Sequence, residues 1–323
     1  MREGRPPGAA QVREVTMRPQ HVPVLFEEVL EYLNVRPGGV YVDATVGLAG
    51  HAAGIARRLG PKGRLTCFDR DPEAMALAKA RLDEVRAELG SEMPEVVYVP
   101  KAFSQMSDEV KPGSLDGLLA DFGVSSLHLD EARRGFSFRT DGPLDMRMDT
   151  RSELTAEQVV NQADENDLAN LIYEFGEERR SRRIARAIVR ARPVTTTGEL
   201  AQIVSAASPA IQGIQGIRGE KIHPATRTFQ ALRIYVNDEL AEIRSLLESA
   251  PSLLKPGGRL VLISFHSLED RLVKDAFRDG SRSGVYEVLT KKPVVAGEEE
   301  QRSNPRSRSA KMRAAEKAEQ DLR

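Results

Sequence analysis

Tryptophan is absent from this 323-residue chain, cysteine occurs once, and aromatic residues make up only 5% of it. A single thiol, Cys67, excludes an intrachain disulfide, so the fold must be held by its core, and a reducing compartment such as the cytoplasm suits it. No apolar run approaches the ~20 residues that a membrane helix needs. The first 20 residues carry Arg, Pro and Gly but lack the apolar centre of a secretory signal. The five histidines and the cysteine lack the spacing of metal-ligand sets, which speaks against a metal site. Missing too is the dinucleotide fingerprint G-x-G-x-x-G. What remains is a cytoplasmic globular protein without a membrane span, with no sign of its oligomeric state beyond leaving a homodimer open.

Charge is segregated, not scarce. Lys and Arg number 47 against 48 acids, a net charge of −1. Yet residues 179–192 hold seven arginines and no acid, and residues 302–313 hold five basic residues. Such blocks suit nucleic-acid phosphates, and a solvated helix face with a loose tail explains them equally well on composition alone.

The stretch Val40-Tyr41-Val42-Asp43-Ala44-Thr45-Val46-Gly47-Leu48-Ala49-Gly50-His51 reads as a buried strand, a glycine turn and a helix start. Gly47 and Gly50 stand where a Cβ would keep a ligand from the backbone. A second apolar run, Leu65 to Phe68, ends in Asp69, about 20 residues beyond the turn, where nucleotide-type sheets hold ribose hydroxyls. Asp43, just before the turn, would repel a pyrophosphate and attract the amine of a methionine moiety. S-adenosylmethionine is therefore favoured over a dinucleotide.

The spacing predicts a short helix with Phe26, Val29, Leu30 and Leu33 on its apolar face, and a helix capped by Asp71 with a stripe of Met75, Leu77, Ala78 and Leu82. Strands are predicted at residues 96–99 and 115–120, the latter ending in Asp121-Phe122-Gly123. That alternation argues a parallel α/β sheet. Between Ser125 and His223 no strand is predicted; helices are expected near 156–162, 166–175, 177–191 and 197–206, with start signals at Thr155 and Thr197. Gly213, Gly216 and Gly219 mark a mobile loop. A single long helix is predicted between Pro224 and Pro251, with Phe229, Leu232, Val236, Leu240, Ile243 and Leu247 on one face. A fifth strand follows at Arg259–Phe265, then a helix capped by Ser267 with Asp270 as its partner. Residues 286–289 and 310–314 suit a late antiparallel pair.

Several long motifs resemble one bacterial family, the small-subunit ribosomal RNA cytosine-N4 methyltransferases of the RsmH (MraW) type. They are the turn Asp43–His51, Asp121-Phe122-Gly123-Val124-Ser125-Ser126, Gly135-Phe136-Ser137-Phe138 through Pro143-Leu144-Asp145-Met146-Arg147-Met148, Ile222-His223-Pro224-Ala225-Thr226-Arg227 onward to Ile234, Ser264-Phe265-His266-Ser267-Leu268-Glu269-Asp270-Arg271, and Asn304-Pro305-Arg306-Ser307-Arg308-Ser309-Ala310-Lys311. The match runs in one order from His21 to about Lys317. It implies a class I S-adenosylmethionine-dependent, Rossmann-like α/β sheet (21–124 and 223–316) with an inserted all-helical, RNA-binding domain (125–222); residues 1–20 read by composition as a disordered extension without a family role, and 317–323 as a polar tail. It also implies cofactor contacts at Ala49, Gly50, His51, Asp69, Phe103, Asp121 and His128, and as substrate one cytosine of the decoding region of 16S rRNA within the small ribosomal subunit.

Asp121 is the candidate catalytic carboxylate, placed to orient the poorly nucleophilic N4. The Pro-Pro-aromatic tetrad of many DNA amino-methyltransferases is absent, so their base-stacking cannot be borrowed. Phe122, Phe136 or Phe138 could stack a flipped base, although each reads better as a core residue. Asp69 could instead be a helix cap, and His51 and His128 could be packing residues. Ser264, His266 and Asp270 invite a hydrolase triad, which their places on a strand end and a helix cap make a poor fit. Arg182, Arg183 and Arg186 are candidates for RNA phosphates.

Overall fold

The computed structural model describes residues 23–208 and 223–319; the amino-terminal extension and the glycine-rich stretch at 213–219 lie outside it. In chain order the first half gives α1 (Phe26–Leu33), β1 (Val40–Asp43), α2 (Gly50–Leu59), β2 (Arg64–Phe68), α3 (Pro72–Leu89), β3 (Glu95–Val99), α4 (Met106–Glu109) and β4 (Leu115–Asp121). Five helices follow: α5 (Ser126–Asp130), α6 (Ala156–Gln162), α7 (Glu165–Gly176), α8 (Ser181–Ala191) and α9 (Thr197–Ala207). The chain then returns through α10 (Thr226–Asn237), α11 (Glu239–Leu253), β5 (Leu254–Ser264), α12 (Ser267–Arg282), β6 (Tyr286–Val288), α13 (Glu298–Ser303) and β7 (Lys311–Lys317).

Seven strands form one sheet in the order β3-β2-β1-β4-β5-β7-β6. The first five run parallel, and β7 lies antiparallel between β5 and β6. This is the Rossmann-like class I sheet expected, with the late antiparallel pair at its edge. Period-two alternation splits each strand between two cores. Tyr41, Leu65, Cys67, Leu119 and Val261 face α1, α2 and α3. Val42, Phe68, Leu118, Ala120 and Leu260 face α11 and α12. A third core belongs to the helical insert.

Several local expectations are corrected. The single helix between Pro224 and Pro251 is two, broken at Asp238, whose φ of 49° is left-handed. The break turns Asn237 into the insert: its Nδ2 donates to Met146 O and its Oδ1 accepts from Met148 N, both at 2.7 Å. Pro251 sits within α11, near its end. Helix α10 contributes Phe229, Ala231 and Leu232 to the insert's core, so the insert's packing extends beyond residue 222. Helix α8 starts at Ser181 instead of 177, because Glu177 caps α7 with a left-handed φ of 50°. Thr196, not Thr197, caps α9, with Glu199 reciprocating. His266, not Ser267, caps α12, and Glu269 completes the box while Asp270 pairs with Arg313. Leu77 is 42% exposed; the buried stripe of α3 is Ala74, Met75, Ala78, Leu82 and Val85. β5 begins five residues earlier than predicted, and β7 runs through Lys317 into the expected tail. No strand is found in the insert among the described residues, only an isolated bridge between Pro143 and Thr196.

Candidate active site

The carboxyl ends of β1, β2 and β4 open into one cavity, the place where open parallel sheets bind ligands. Its walls include Thr45–Leu48, Gly50, His51, Asp69, Arg70, Ala102, Phe103, residues 121–126 and His128. Backbone bonds from Ala44 N to Leu119 O and from Val46 N to Phe68 O fix the turn between its neighbouring strands.

Gly47 has φ +50° and only ordinary contacts around a would-be Cβ, so here the backbone itself faces the cavity. Its N–H donates to Asp69 Oδ2 at 2.9 Å, while Asp69 Oδ1 accepts from Asp71 N at 2.9 Å. The acid at the end of β2 is thus tied to the glycine turn 22 residues earlier. Burial raises the Asp69 carboxyl above its usual range, against the pull of those two N–H groups and of His128. The helix cap is Asp71, which accepts from Glu73 N at 2.9 Å, leaving Asp69 for the cavity. Gly50 lines the cavity, and a Cβ there would lie 2.8 Å from Pro23, so packing too demands a glycine. Ala49 caps α2 at φ 60°, is fully buried in the core, and is not among the cavity's lining residues. Asp43 does not line the cavity either. It is 2% exposed, accepts from Thr45 N, and is pushed up to about 7 by burial and the charge of Asp69.

His51 and Asp121 meet across the cavity, with Nε2 4.0 Å from Oδ2. Asp121 is placed by its own N–H, which donates to Thr45 Oγ1 at 2.7 Å. Its Oδ1 is buried and accepts no hydrogen bond among the described residues. Burial, then Asp43 and Glu269, hold its carboxyl well above the usual range. Phe103 forms an apolar wall, 6.0 Å from Phe122 between ring centres.

His128 lines the cavity with both ring nitrogens engaged. Nδ1 accepts from Ser125 N, so Nε2 carries the proton and donates to Asp71 Oδ2 at 2.8 Å. Arg134, 3% exposed, donates to the same oxygen at 2.9 Å and to the carbonyls of Arg147 and Met148. Burial would raise Asp71, but His128 and Arg134 outweigh it and hold the carboxyl low. Phe136 packs on the His128 ring at 4.7 Å, Phe138 packs on His223 and Phe229, and Phe122 is 3% exposed in the sheet's core.

Sequence reading missed Thr45, Arg134, Arg233, Glu239, Glu269 and Arg306; all but Glu239, which pairs with Arg233 six residues away, have partners across long chain separations. Arg306 lines the cavity from the carboxy-terminal segment and holds Ser126 and Asp130. The basic motif 302–313 was the available signal for that one. Ser264, His266 and Asp270 do not converge, since Asp270 turns to Arg313 and Lys311 and His266 to Glu269.

Arg182, Arg183 and Arg186 lie on the exposed face of α8, opposite Ile184, Ala185 and Ile188 in the insert's core, and are not cavity residues. Arg186 pairs with Glu165 at 3.2 Å. Arg192 turns inward to the carbonyls of Val160 and Ala163, so part of the arginine block is structural.

Residues 18–318 match the model of the MraW methylase family. The chain belongs to that family. Among its relatives, the ribosomal RNA small subunit methyltransferase H of Acidobacterium capsulatum is 68% identical over 300 residues, covering 93% of this chain and 99% of the relative. Proteins of the same name from Koribacter versatilis and Geobacter sulfurreducens are 56% and 51% identical, covering 91% and 92% of this chain and 93% and 98% of themselves. Among the described residues no helix is long and apolar enough to cross a membrane.

Proposed function

We infer that this methylase transfers a methyl group from S-adenosylmethionine to the exocyclic N4 of one cytosine in 16S rRNA of the small ribosomal subunit. The family and the names of its relatives support the reaction class and the RNA. The cavity supports the cofactor, because the Gly47 backbone, the Asp69 carboxylate and the apolar wall of Ala102 and Phe103 fit a ribose, its base and a flexible amino-acid arm. Of the contacts the resemblance implies, Gly50, His51, Asp69, Phe103, Asp121 and His128 would hold it. Ala49 would act only through backbone geometry.

When bound, S-adenosylmethionine supplies an activated methyl group on its sulfonium, so orientation of the acceptor is the chain's main task. The observation that carries this reading is the buried, unpartnered Oδ1 of Asp121 at the end of β4, in the same cavity as Asp69. An acceptor there takes an N–H of the amine and localises its lone pair as the bond forms, and solvent takes the released proton. Because burial holds its pKa high, the carboxyl does this fully only once ionised. The exposed arginines of α8 would grip RNA phosphates outside the cavity. The test is to incubate small subunits lacking the modification with enzyme and labelled cofactor, then digest the RNA for mass spectrometry. Label at N4 of a single cytosine is expected; label elsewhere, or none, would overturn the reading.

A further inference from the structure

The wall of the cavity formed by Phe265, Glu269 and Glu239 carries more buried charge than packing requires. Arg233 on α10 donates to both oxygens of Glu239 at 2.7 and 2.8 Å, and its Nη2 lies 3.9 Å from Glu269 Oε1. Donor atoms of Glu239, His266 and Glu269 fall within 4.8 Å of one another, a grouping that no sequence spacing reveals. Arg233 already supplies positive charge there. Gly123, with φ +89°, brings the loop after β4 against this guanidinium and the Phe265 ring.

Following each carboxylate oxygen isolates two of them. Both Glu239 oxygens are taken by Arg233. Glu269 is 0% exposed, and its Oε2 accepts from Phe265 N at 2.7 Å and His266 N at 3.3 Å, closing the cap of α12. Its Oε1 has ionic neighbours, His266 Nε2 at 3.1 Å and Arg233 Nη2 at 3.9 Å, but accepts no well-formed hydrogen bond among the described residues. The second such oxygen is Oδ1 of Asp121. Both residues line the one cavity. The cap of α12 needs one oxygen of Glu269, and a second left buried with ionic neighbours but no well-formed hydrogen bond is a cost that a ligand donor would remove.

We propose that Glu269 Oε1 and Asp121 Oδ1 form a two-acceptor cradle for an exocyclic primary amine, each taking one of its two N–H groups. The proposal rests on the methyl-transfer function above and assigns its base specificity. A cytosine amine offers two donors, whereas the O4 of uracil offers only lone pairs and would face two carboxylate oxygens. Gripping both N–H groups also fixes the plane of the amine, which directs its lone pair. In the transfer the N4–C bond forms as the S–C bond breaks with its electron pair left on sulfur, and one amine hydrogen leaves as a proton to solvent. The product keeps one N–H, so it half-fills the cradle and is a poor second acceptor.

The two carboxyls are set apart electrostatically. Burial works to raise Glu269, but His266, Arg233 and the Phe265 N–H outweigh it and keep Glu269 ionised. Asp121 faces Asp43 from β1, His51 from α2 and Glu269 from α12, and is held high by burial and the two acids. Full use of the cradle therefore requires Asp121 to ionise, and the rate rises with pH through that step. Removing the charge of Glu269 lowers the Asp121 pKa and moves this rise to lower pH.

The test compares the full-length wild type with Glu269→Gln in single-turnover methylation of unmodified small subunits across pH. Cofactor affinity is followed by calorimetry and folding by thermal melting. The variant is expected to keep cofactor affinity, to lose about 10- to 100-fold in rate, and to show its rise at lower pH. A folded variant with wild-type rate and an unmoved rise would overturn the cradle. Should the variant fail to fold, the wild-type product decides: one methyl per N4 under excess cofactor is expected, and accumulation of dimethylated N4 would overturn it. No transfer by wild type would instead defeat the function assigned above.

Discussion

The two ends of the cavity differ in how their polar groups are satisfied. Around Asp69 nearly every polar atom has a protein partner: Gly47 and Asp71 N–H on Asp69, Ser125 and Asp71 on His128, and Asp71 and two carbonyls on Arg134. Around Asp121 and Glu269 one oxygen of each is left without a hydrogen bond. A satisfied network holds a shape in advance, while unsatisfied acceptors define what must enter. The first end is built to be rigid, the second to select.

The largest effect should come from the rigid end. Replacing Arg134 by Met takes from Asp71 its charged partner, leaving it only His128 and the Glu73 N–H, and strands two carbonyls, which should cost about 3–5 kcal/mol of stability, read by urea unfolding. A loss below ~1 kcal/mol would show that this network is not what holds the insert to the sheet. At the selective end, Asp121→Ala should leave the fold nearly intact and lower turnover about 100-fold, more than any loss of cofactor affinity explains. If turnover and cofactor affinity both stayed normal, Asp121 would have no role in orienting the acceptor. Asp69→Ala should do the reverse, weakening cofactor binding by about 10- to 30-fold in calorimetry, as loss of a charged hydrogen-bond acceptor does. An unchanged affinity would mean that no sugar meets this acid. The smallest effect is expected outside the cavity. Changing Arg182, Arg183 and Arg186 to Gln should weaken RNA binding and flatten its salt dependence by roughly one unit of slope per lost phosphate contact, sparing cofactor affinity. Identical salt titrations would leave α8 as a solvated face.

The sheet and its glycine turn were readable because their signals are local. Val40–Asp43, Gly47 and Asp69 are fixed by apolar runs and by a spacing along one strand-turn-helix unit. The helices of the insert were readable for the same reason, with errors of a few residues where a left-handed Glu177 or Asp238 intervenes. The break at Asp238 was hidden because the apolar period of α10 continues across it into α11, and only the demand of Asn237 for the Met146 and Met148 backbone ends the first helix.

By itself the sequence determined the parallel sheet, the helical insert, the acids at the ends of β2 and β4, and the family. Those follow from hydrophobic period and from motifs contiguous in the chain. Tertiary structure alone decided how side chains from distant segments meet: that Arg134 clamps Asp71, that a Cβ at Gly50 would meet Pro23, and that Glu269 lines the same cavity as Asp121. Hydrogen-bond satisfaction and desolvation depend on neighbours many residues distant, and no local pattern encodes them.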